Sequence, residues 1–205
     1  MLFSAFQCPT PGCAPLPMKR GAVDWEDMWS PYDDETYRFA LEMARPDDVV
    51  IDIGAGDLRL ASRMAAMVRR VYAVERNPAL VQRAQRWNDA FDNLVVVCAD
   101  ALTWTLPPDV TLAVLLMRHC TRDHFATYMQ RLKGAGCQRL VTNARWKMGV
   151  EVIDLRCRQP YDPHRTGWYA CHCGMIGFHA PDTDQITPET LSDVADVVVC
   201  PHCTM

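Results

Sequence analysis

The 205-residue chain has no apolar run long enough to cross a bilayer, because stretches such as Leu112 to Met117 fall far short of the roughly 20 residues a spanning helix needs. A transmembrane helix is therefore not expected. A secretory leader is not expected either: Cys8, Pro9, Pro11, Cys13, Pro15 and Pro17 stand where a signal peptide needs an unbroken apolar core behind early positive charge. A cytoplasmic protein is the expectation. Nor is there a surplus of positive charge. A formal net charge of −4 argues against nucleic-acid binding by bulk electrostatics and makes DNA a poor partner, although a local basic patch remains open. Internal repeats and low-complexity tracts are also absent, which sets aside solenoids and biased tails.

Hydrophobic residues make up 49% of the chain, enough to bury one α/β core with a small appendage. Cysteine is plentiful, with ten in all. In a reducing compartment, short cysteine spacings read as metal ligands more readily than as disulfides. Six fall in such pairs: Cys8 with Cys13, Cys171 with Cys173, and Cys200 with Cys203.

Residues 1–30 carry prolines and scattered aromatics without a period and read as an irregular arm. From Asp34 to Arg45, the spacing of Tyr37, Phe39, Ala40, Met43 and Ala44 predicts a helix, with Asp33 or Asp34 as cap and Pro46 as stop. Strand and helix patterns then alternate. Strands are expected at Val49–Ile53, Val71–Val74, Leu94–Cys98, Val110–Met117 and Arg139–Thr142. Helices are expected at Leu58–Val68, Pro78–Asn88 and Arg122–Lys133. Strands this apolar along their length suit a parallel sheet covered on both faces, so a doubly wound, mostly parallel α/β architecture is predicted over 31–150. After Trp146 the alternation stops, and residues 151–205 read as a Cys-rich segment. Val150–Leu155 and Asp196–Val199 remain open as further strands of the same sheet.

Asp52-Ile53-Gly54-Ala55-Gly56-Asp57 ends the first predicted strand and opens a helix. There, glycines let a ligand approach the backbone at a helix N-terminus. Glu75 closes the second strand, placed to accept both hydroxyls of a ribose. These features alone fit either NAD or S-adenosylmethionine (SAM). A dinucleotide fingerprint wants a third glycine three positions after Gly56, where this chain has Arg59. Cys98-Ala99-Asp100-Ala101, after the third strand, adds an acidic group able to accept an adenine amino group, which NAD binding does not require.

Taken together, Val50 to Asp57, Tyr72-Ala73-Val74-Glu75 and Val97 to Ala101 resemble the first three motifs of class I, Rossmann-like SAM-dependent methyltransferases, over roughly residues 34–145. The resemblance implies an enzyme that transfers a methyl group from SAM. By the same resemblance, Asp52, Gly54, Ala55 and Gly56 contact the methionine portion, Glu75 the ribose, and Asp100 with Ala101 the adenine, with Arg76 a further cofactor-binding residue. The family commonly has glycine where this chain has Leu58, so the loop is expected to be less open at its C-terminal end or the cofactor slightly shifted. A non-catalytic SAM- or nucleotide-binding module that recruits a partner is the competing reading.

Methyl transfer is an in-line displacement, so the enzyme chiefly aligns a nucleophile with the methyl group and excludes water. Leu116-Met117-Arg118-His119-Cys120 follows the fourth strand, where this fold places acceptor-facing groups. His119 is the candidate general base, although a histidine there serves equally to cap the next helix or bond a loop. The Asn/Asp-Pro-Pro-Tyr motif of enzymes acting on amide or exocyclic amino groups is missing at this point, which weakens DNA adenine methylation. Cys120 lacks the context of a covalent cytosine C5 enzyme and reads as a core thiol. The acceptor, whether protein, RNA or small molecule, is left open. Tyr32, Trp146, Tyr161, Trp168 and Tyr169 are candidates to wall its pocket, or simply the small core of their own segments.

Cys171-His172-Cys173-Gly174 and Cys200-Pro201-His202-Cys203 can each present two thiolates from one tight turn and resemble the two knuckles of a zinc ribbon. Cys171, Cys173, Cys200 and Cys203 are therefore the expected ligands of one zinc ion. An iron-sulfur cluster, free thiols and disulfides are the other readings. Four thiolates leave no open position, so such a metal would be structural. The residues between the two pairs should form a hairpin and a loop. His164, His172, His179 and His202 are reserve ligands, and Cys8 and Cys13 with Cys157 or a histidine are candidates for a second site.

Overall fold

Val49–Ile53 forms strand β1, buried along its whole length. Its side chains alternate between two cores, as the two-residue period of a strand requires. Val49, Ile51 and Ile53 share a cluster with Phe125, Met129 and Leu132 of helix α4 (Arg122–Gly134). Val50 joins a second cluster with Tyr37 and Ala40 of α1 (Asp34–Glu42) and Leu60, Ala61 and Met64 of α2 (Arg59–Ala65). One apolar strand thus needs helices on both faces, which makes a doubly wound sheet the way to bury it. The computed structural model describes residues 30–88, 90–145 and 148–203, with the side chains of 85–88 left aside. Cys8, Cys13, Trp146 and nearly all of the expected N-terminal arm lie outside the described residues.

The main sheet has six strands in the order β3-β2-β1-β4-β5-β6. Strands β2 (Arg70–Glu75), β3 (Leu94–Cys98), β4 (Leu112–Leu115) and β5 (Arg139–Thr142) run parallel to β1, and β6 (Glu151–Asp154) returns antiparallel to β5. Helix α3 (Pro78–Asn88) links β2 to β3. Because β1 lies between β2 and β4, the chain winds outward in both directions from the β1/β4 pair. The crevice beyond their C-terminal ends is the natural ligand site of such a sheet. At the opposite ends, buried Asp48 receives Arg139 through two hydrogen bonds of 2.6 and 2.7 Å and Thr111 Oγ1 at 2.7 Å, tying β1, β4 and β5 together. Burial alone would raise the Asp48 carboxyl, but the Arg139 and Thr111 hydrogen bonds overcome it and hold it below the usual carboxylate range.

Several elements differ in extent from their sequence-based expectation. Helix α1 stops at Glu42 rather than Arg45, because a residue preceding proline disfavours helical backbone and Pro46 follows. Strand β4 ends at Leu115, since the Met117 amide donates to the Asn143 side chain at 2.9 Å and not to a neighbouring strand. Strand β3 is only partly covered, as expected of a sheet edge. Of the two segments left open as added strands, 151–154 joins the main sheet. Val194–Val197 (β9) instead pairs parallel with β7 (Gly167–Cys171) in a second sheet.

That second sheet has the order β8-β7-β9, with β8 at Ile176–His179. The hairpin expected between the two cysteine pairs instead takes β7, ahead of the first pair, as its first strand and β8 as its second, with the first pair at its turn. The loop leading on to β9 contains a 3-10 turn (Thr183–Gln185) and the short helix α5 (Pro188–Ser192). Among the described residues no helix is long and apolar enough to cross a membrane.

Candidate functional site

The glycine loop turns sharply off β1. The amides of Gly54 and Ala55 both donate to the Val74 carbonyl, at 2.8 and 3.1 Å, which folds the loop over the end of β2. Gly54 and Gly56 have φ of +74° and +57°, a backbone region that glycine enters at little cost. Leu58 follows at φ +64°, the one non-glycine residue among those described with positive φ, and it is fully buried against α1 and α2. The loop therefore keeps the left-handed turn expected of a glycine and fills the space with a leucyl side chain.

Two carboxylates meet beneath this loop. Glu75, 7% exposed, accepts the Gly56 amide on one oxygen at 2.9 Å and the Asn77 amide on the other at 2.8 Å. Each oxygen retains accepting capacity for a further donor. Asp52, 4% exposed, has an Oδ2 with no hydrogen-bond partner. Burial, reinforced by the Glu75 charge, pushes its carboxyl up to about 7. A buried acceptor in that state calls for a donor from outside the chain. Past β3, Asp100 is exposed and caps its own turn by accepting Leu102 N at 2.8 Å, while Ala101 is buried behind it. Arg76 is exposed at the end of β2.

The segment after β4 lies against the loop. The Met117 methyl sits only 3.1 Å from where a Cβ on Gly54 would stand, so glycine there lets Met117 close on the backbone. Asn143 holds Met117 from the end of β5 through the 2.9 Å bond, and its Nδ2 is buried without a partner. Thr142 Oγ1 donates to the Leu115 carbonyl at 2.8 Å in the same seam. The Arg118 amide donates to Tyr32 Oη at 3.1 Å, and its guanidinium lies 4.8 Å over the Tyr32 ring. His119 is exposed on the turn that follows. Burial raises the Cys120 thiol to about 11, which keeps it protonated near neutrality and unsuited to nucleophilic attack. Asn143 escaped the sequence reading. Its only sequence signal is an amide residue immediately after an apolar strand.

The four cysteines of the C-terminal segment converge. Their Sγ atoms all lie within 4.8 Å of one another, with Cys171 to Cys203 at 3.6 Å, Cys173 to Cys200 at 3.8 Å and Cys200 to Cys203 at 3.9 Å. These separations are far beyond a disulfide bond of about 2.05 Å. They match the edge of about 3.8 Å expected of a tetrahedron whose metal-sulfur distance is about 2.3 Å. None of the four reserve histidines belongs to the cluster. His172 instead faces away from it, with Nε2 3.0 Å from Asp196 Oδ2 and Nδ1 against Lys133 Nζ.

Residues 38–135 match the family model for ribosomal RNA adenine dimethylase. Among curated proteins, the ribosomal RNA small subunit methyltransferases A of Methanosarcina mazei and Methanosarcina acetivorans are 40% and 39% identical to this chain over 62 residues. Each match covers 30% of this chain and 23% of the relative, so the aligned region spans about a quarter of those proteins. The solved structure of the 23S rRNA methyltransferase ErmE is similar over 54% of this chain and 46% of its own, at 24% identity and a TM-score of 0.48. Together with the strand order and the glycine loop, the family match over residues 38–135 gives this chain the class I, Rossmann-like fold of SAM-dependent methyltransferases. The chain also carries a Cys-rich C-terminal segment.

Proposed function

We propose that the protein transfers a methyl group from SAM to RNA, with a structural zinc ion in its C-terminal segment. The observation that carries the cofactor half is Asp52: a buried carboxylate lacking a donor, beside a second carboxylate, under a glycine turn at the switch point of the sheet. In this reading Asp52 with Gly54, Ala55 and Gly56 receives the cationic methionine portion. Glu75, with Arg76 at its side, takes the ribose hydroxyls, and Asp100 and Ala101 border the adenine. SAM supplies a sulfonium methyl group, so the chain's own residues have to orient the acceptor and exclude water. His119, exposed after β4, would receive the proton of an acceptor that must lose one.

RNA as acceptor rests on the relatives, whose names specify ribosomal RNA. Arg118 stacked on Tyr32 beside the turn offers the kind of planar platform on which RNA bases stack. The residues after β4 are Leu116-Met117-Arg118-His119 rather than Asn/Asp-Pro-Pro-Tyr, so the methylated atom need not be an exocyclic amine. Four unbonded thiols at tetrahedral separation fit zinc and accord with a reducing, cytoplasmic setting.

Calorimetric titration of the full chain with SAM and with S-adenosylhomocysteine tests the first half, and both are expected to bind at micromolar affinity or better. Glu75→Ala should abolish that binding. Folded, metal-replete protein that binds neither would leave a partner-recruiting module as the better reading. Labelled SAM incubated with ribosomal RNA and, separately, with protein extract then assigns the acceptor by where the label goes.

A further inference from the structure

Several polar contacts among the described residues join the Cys-rich segment to the main domain, Lys133 to His172 among them, and two of them lead to the loop after β4. The first is a buried chain of charges. Arg145, 3% exposed, follows β5 and grips Glu151 of β6 with Nε at 2.6 Å and with Nη2. Its Nη1 reaches Asp196 of β9 at 2.7 Å. Asp196 in turn meets His172, which stands between the two cysteines of the first knuckle. Arg145 is two residues from Asn143, and Asn143 holds Met117 against Gly54.

The second joint is Arg122, the first residue of α4. Its Nη2 donates to the His202 carbonyl at 2.5 Å and lies 3.7 Å from Cys173 Sγ, so it touches both knuckles at once. Gly174 makes this approach possible. At φ +84° its missing Cβ would stand 3.1 Å from Phe125 and 3.5 Å from Arg122, so the knuckle rests directly on the start of α4. Thr121, the cap of that helix, closes the turn that holds Arg118 and His119.

We propose that the four-cysteine metal centre positions the 116–121 loop through Arg122 and Arg145, so that metal occupancy sets the order of the acceptor side while leaving the SAM-binding loop in place. This rests on the zinc reading given above. Both arginines are positioning residues: Arg122 bonds the cysteine turns and Arg145 bonds Glu151 and Asp196, so each connects an element next to the loop to the cysteine-bearing segment. Without the metal, nothing would hold the four cysteines together and the knuckles would separate, removing the His202 carbonyl and Cys173 from Arg122. Helix α4 would stay packed through Phe125, Met129 and Leu132, and the freedom gained would fall on its first turn and the loop before it.

Hydrogen exchange on the full-length chain tests this, with zinc-loaded wild type and Arg122→Ala each compared before and after chelation. Arg122 is exposed, so its truncation should leave folding and zinc content unchanged. Amides of 116–121 are expected to exchange at least about tenfold faster in chelated wild type and in zinc-loaded Arg122→Ala, with little further change when that variant is chelated. Arg122→Lys, which keeps a donor toward the carbonyl, should recover part of the protection. The proposal is overturned if chelation speeds exchange at 171–174 and 200–203 while 116–121 stays as protected as before. Failure to take up zinc overturns it together with the zinc reading. S-adenosylhomocysteine calorimetry on the same samples reads the cofactor site separately, so failure there counts against the methyltransferase reading and leaves the exchange result standing.

Discussion

Asp52 combines three conditions that single side chains rarely share: near-complete burial, an oxygen without a donor, and a carboxylate neighbour. Its carboxyl, at about 7 in the folded chain, stands well above the unfolded value of about 3.9. Between those values the folded state holds a proton that the unfolded chain has already shed. Stability from this group is therefore full below about pH 4 and declines as pH rises toward 7. A cationic ligand group placed against Asp52 would reverse the preference and expel the proton. Titration with S-adenosylhomocysteine at pH 7, repeated in buffers of different ionisation enthalpy, should show release of about half a proton per site. Asp52→Asn should abolish the release. A wild-type heat that does not vary with buffer would mean that Asp52 does not face the cationic end of the ligand.

Helix α2 begins from a strained residue. Leu58 at φ +64°, ψ +13° carries a backbone cost of roughly 1 to 2 kcal/mol, offset by a fully buried side chain whose truncation costs roughly 2 to 5 kcal/mol. Glycine usually destabilises a helix more than alanine does, but at this position the order should invert. Leu58→Gly removes both the packing and the strain, whereas Leu58→Ala removes only the packing. Urea unfolding should show the alanine variant less stable than the glycine variant by about 1 kcal/mol. The opposite order would show that the left-handed backbone is not what the loop requires. Position 58 could be singled out beforehand, because the methyltransferase loop commonly has glycine there, although the direction of its side chain could not. The same division runs through the other elements. Val49 to Ile53 is legible as a strand because both of its faces are covered, and Gly54, Gly56 and Glu75 because ligand approach restricts residue type. A four-residue run such as Val194–Val197 carries no mark of which sheet it will join. Asn143, Arg122 and Arg145 act through partners that only the folded chain brings near, so nothing local distinguishes them from surface polar residues.

At the scale of the molecule, two cores of unequal strength share one chain. The main sheet buries two large clusters between its helices, while the second sheet rests on a few residues, Tyr169, Cys171, Val197 and Cys200, two of them proposed metal ligands. A core so small rarely sustains itself, and the proposed metal clip joining positions 171 and 203 would supply what the apolar area does not. The interface adds a further dependence. Arg145 is buried with Glu151 and Asp196 as partners, and if the Cys-rich segment moved away the guanidinium would keep only one of its two carboxylates. Leaving a buried ion short of a partner costs several kcal/mol, so loosening of the knuckles should spread to the end of β5 and stop at the main sheet. Chelation of the zinc-loaded chain should therefore open one part and spare the other. Trypsin should cleave after Arg156, Arg158 and Arg165 about tenfold faster, leaving a resistant fragment that retains the parallel strands. Far-ultraviolet dichroism should lose only the fraction that belongs to β7, β8, β9 and α5. Cleavage at an unchanged rate after complete metal removal would mean that the second sheet stands on its apolar contacts alone. Simultaneous loss of both parts would mean that the two cores fold as one cooperative unit.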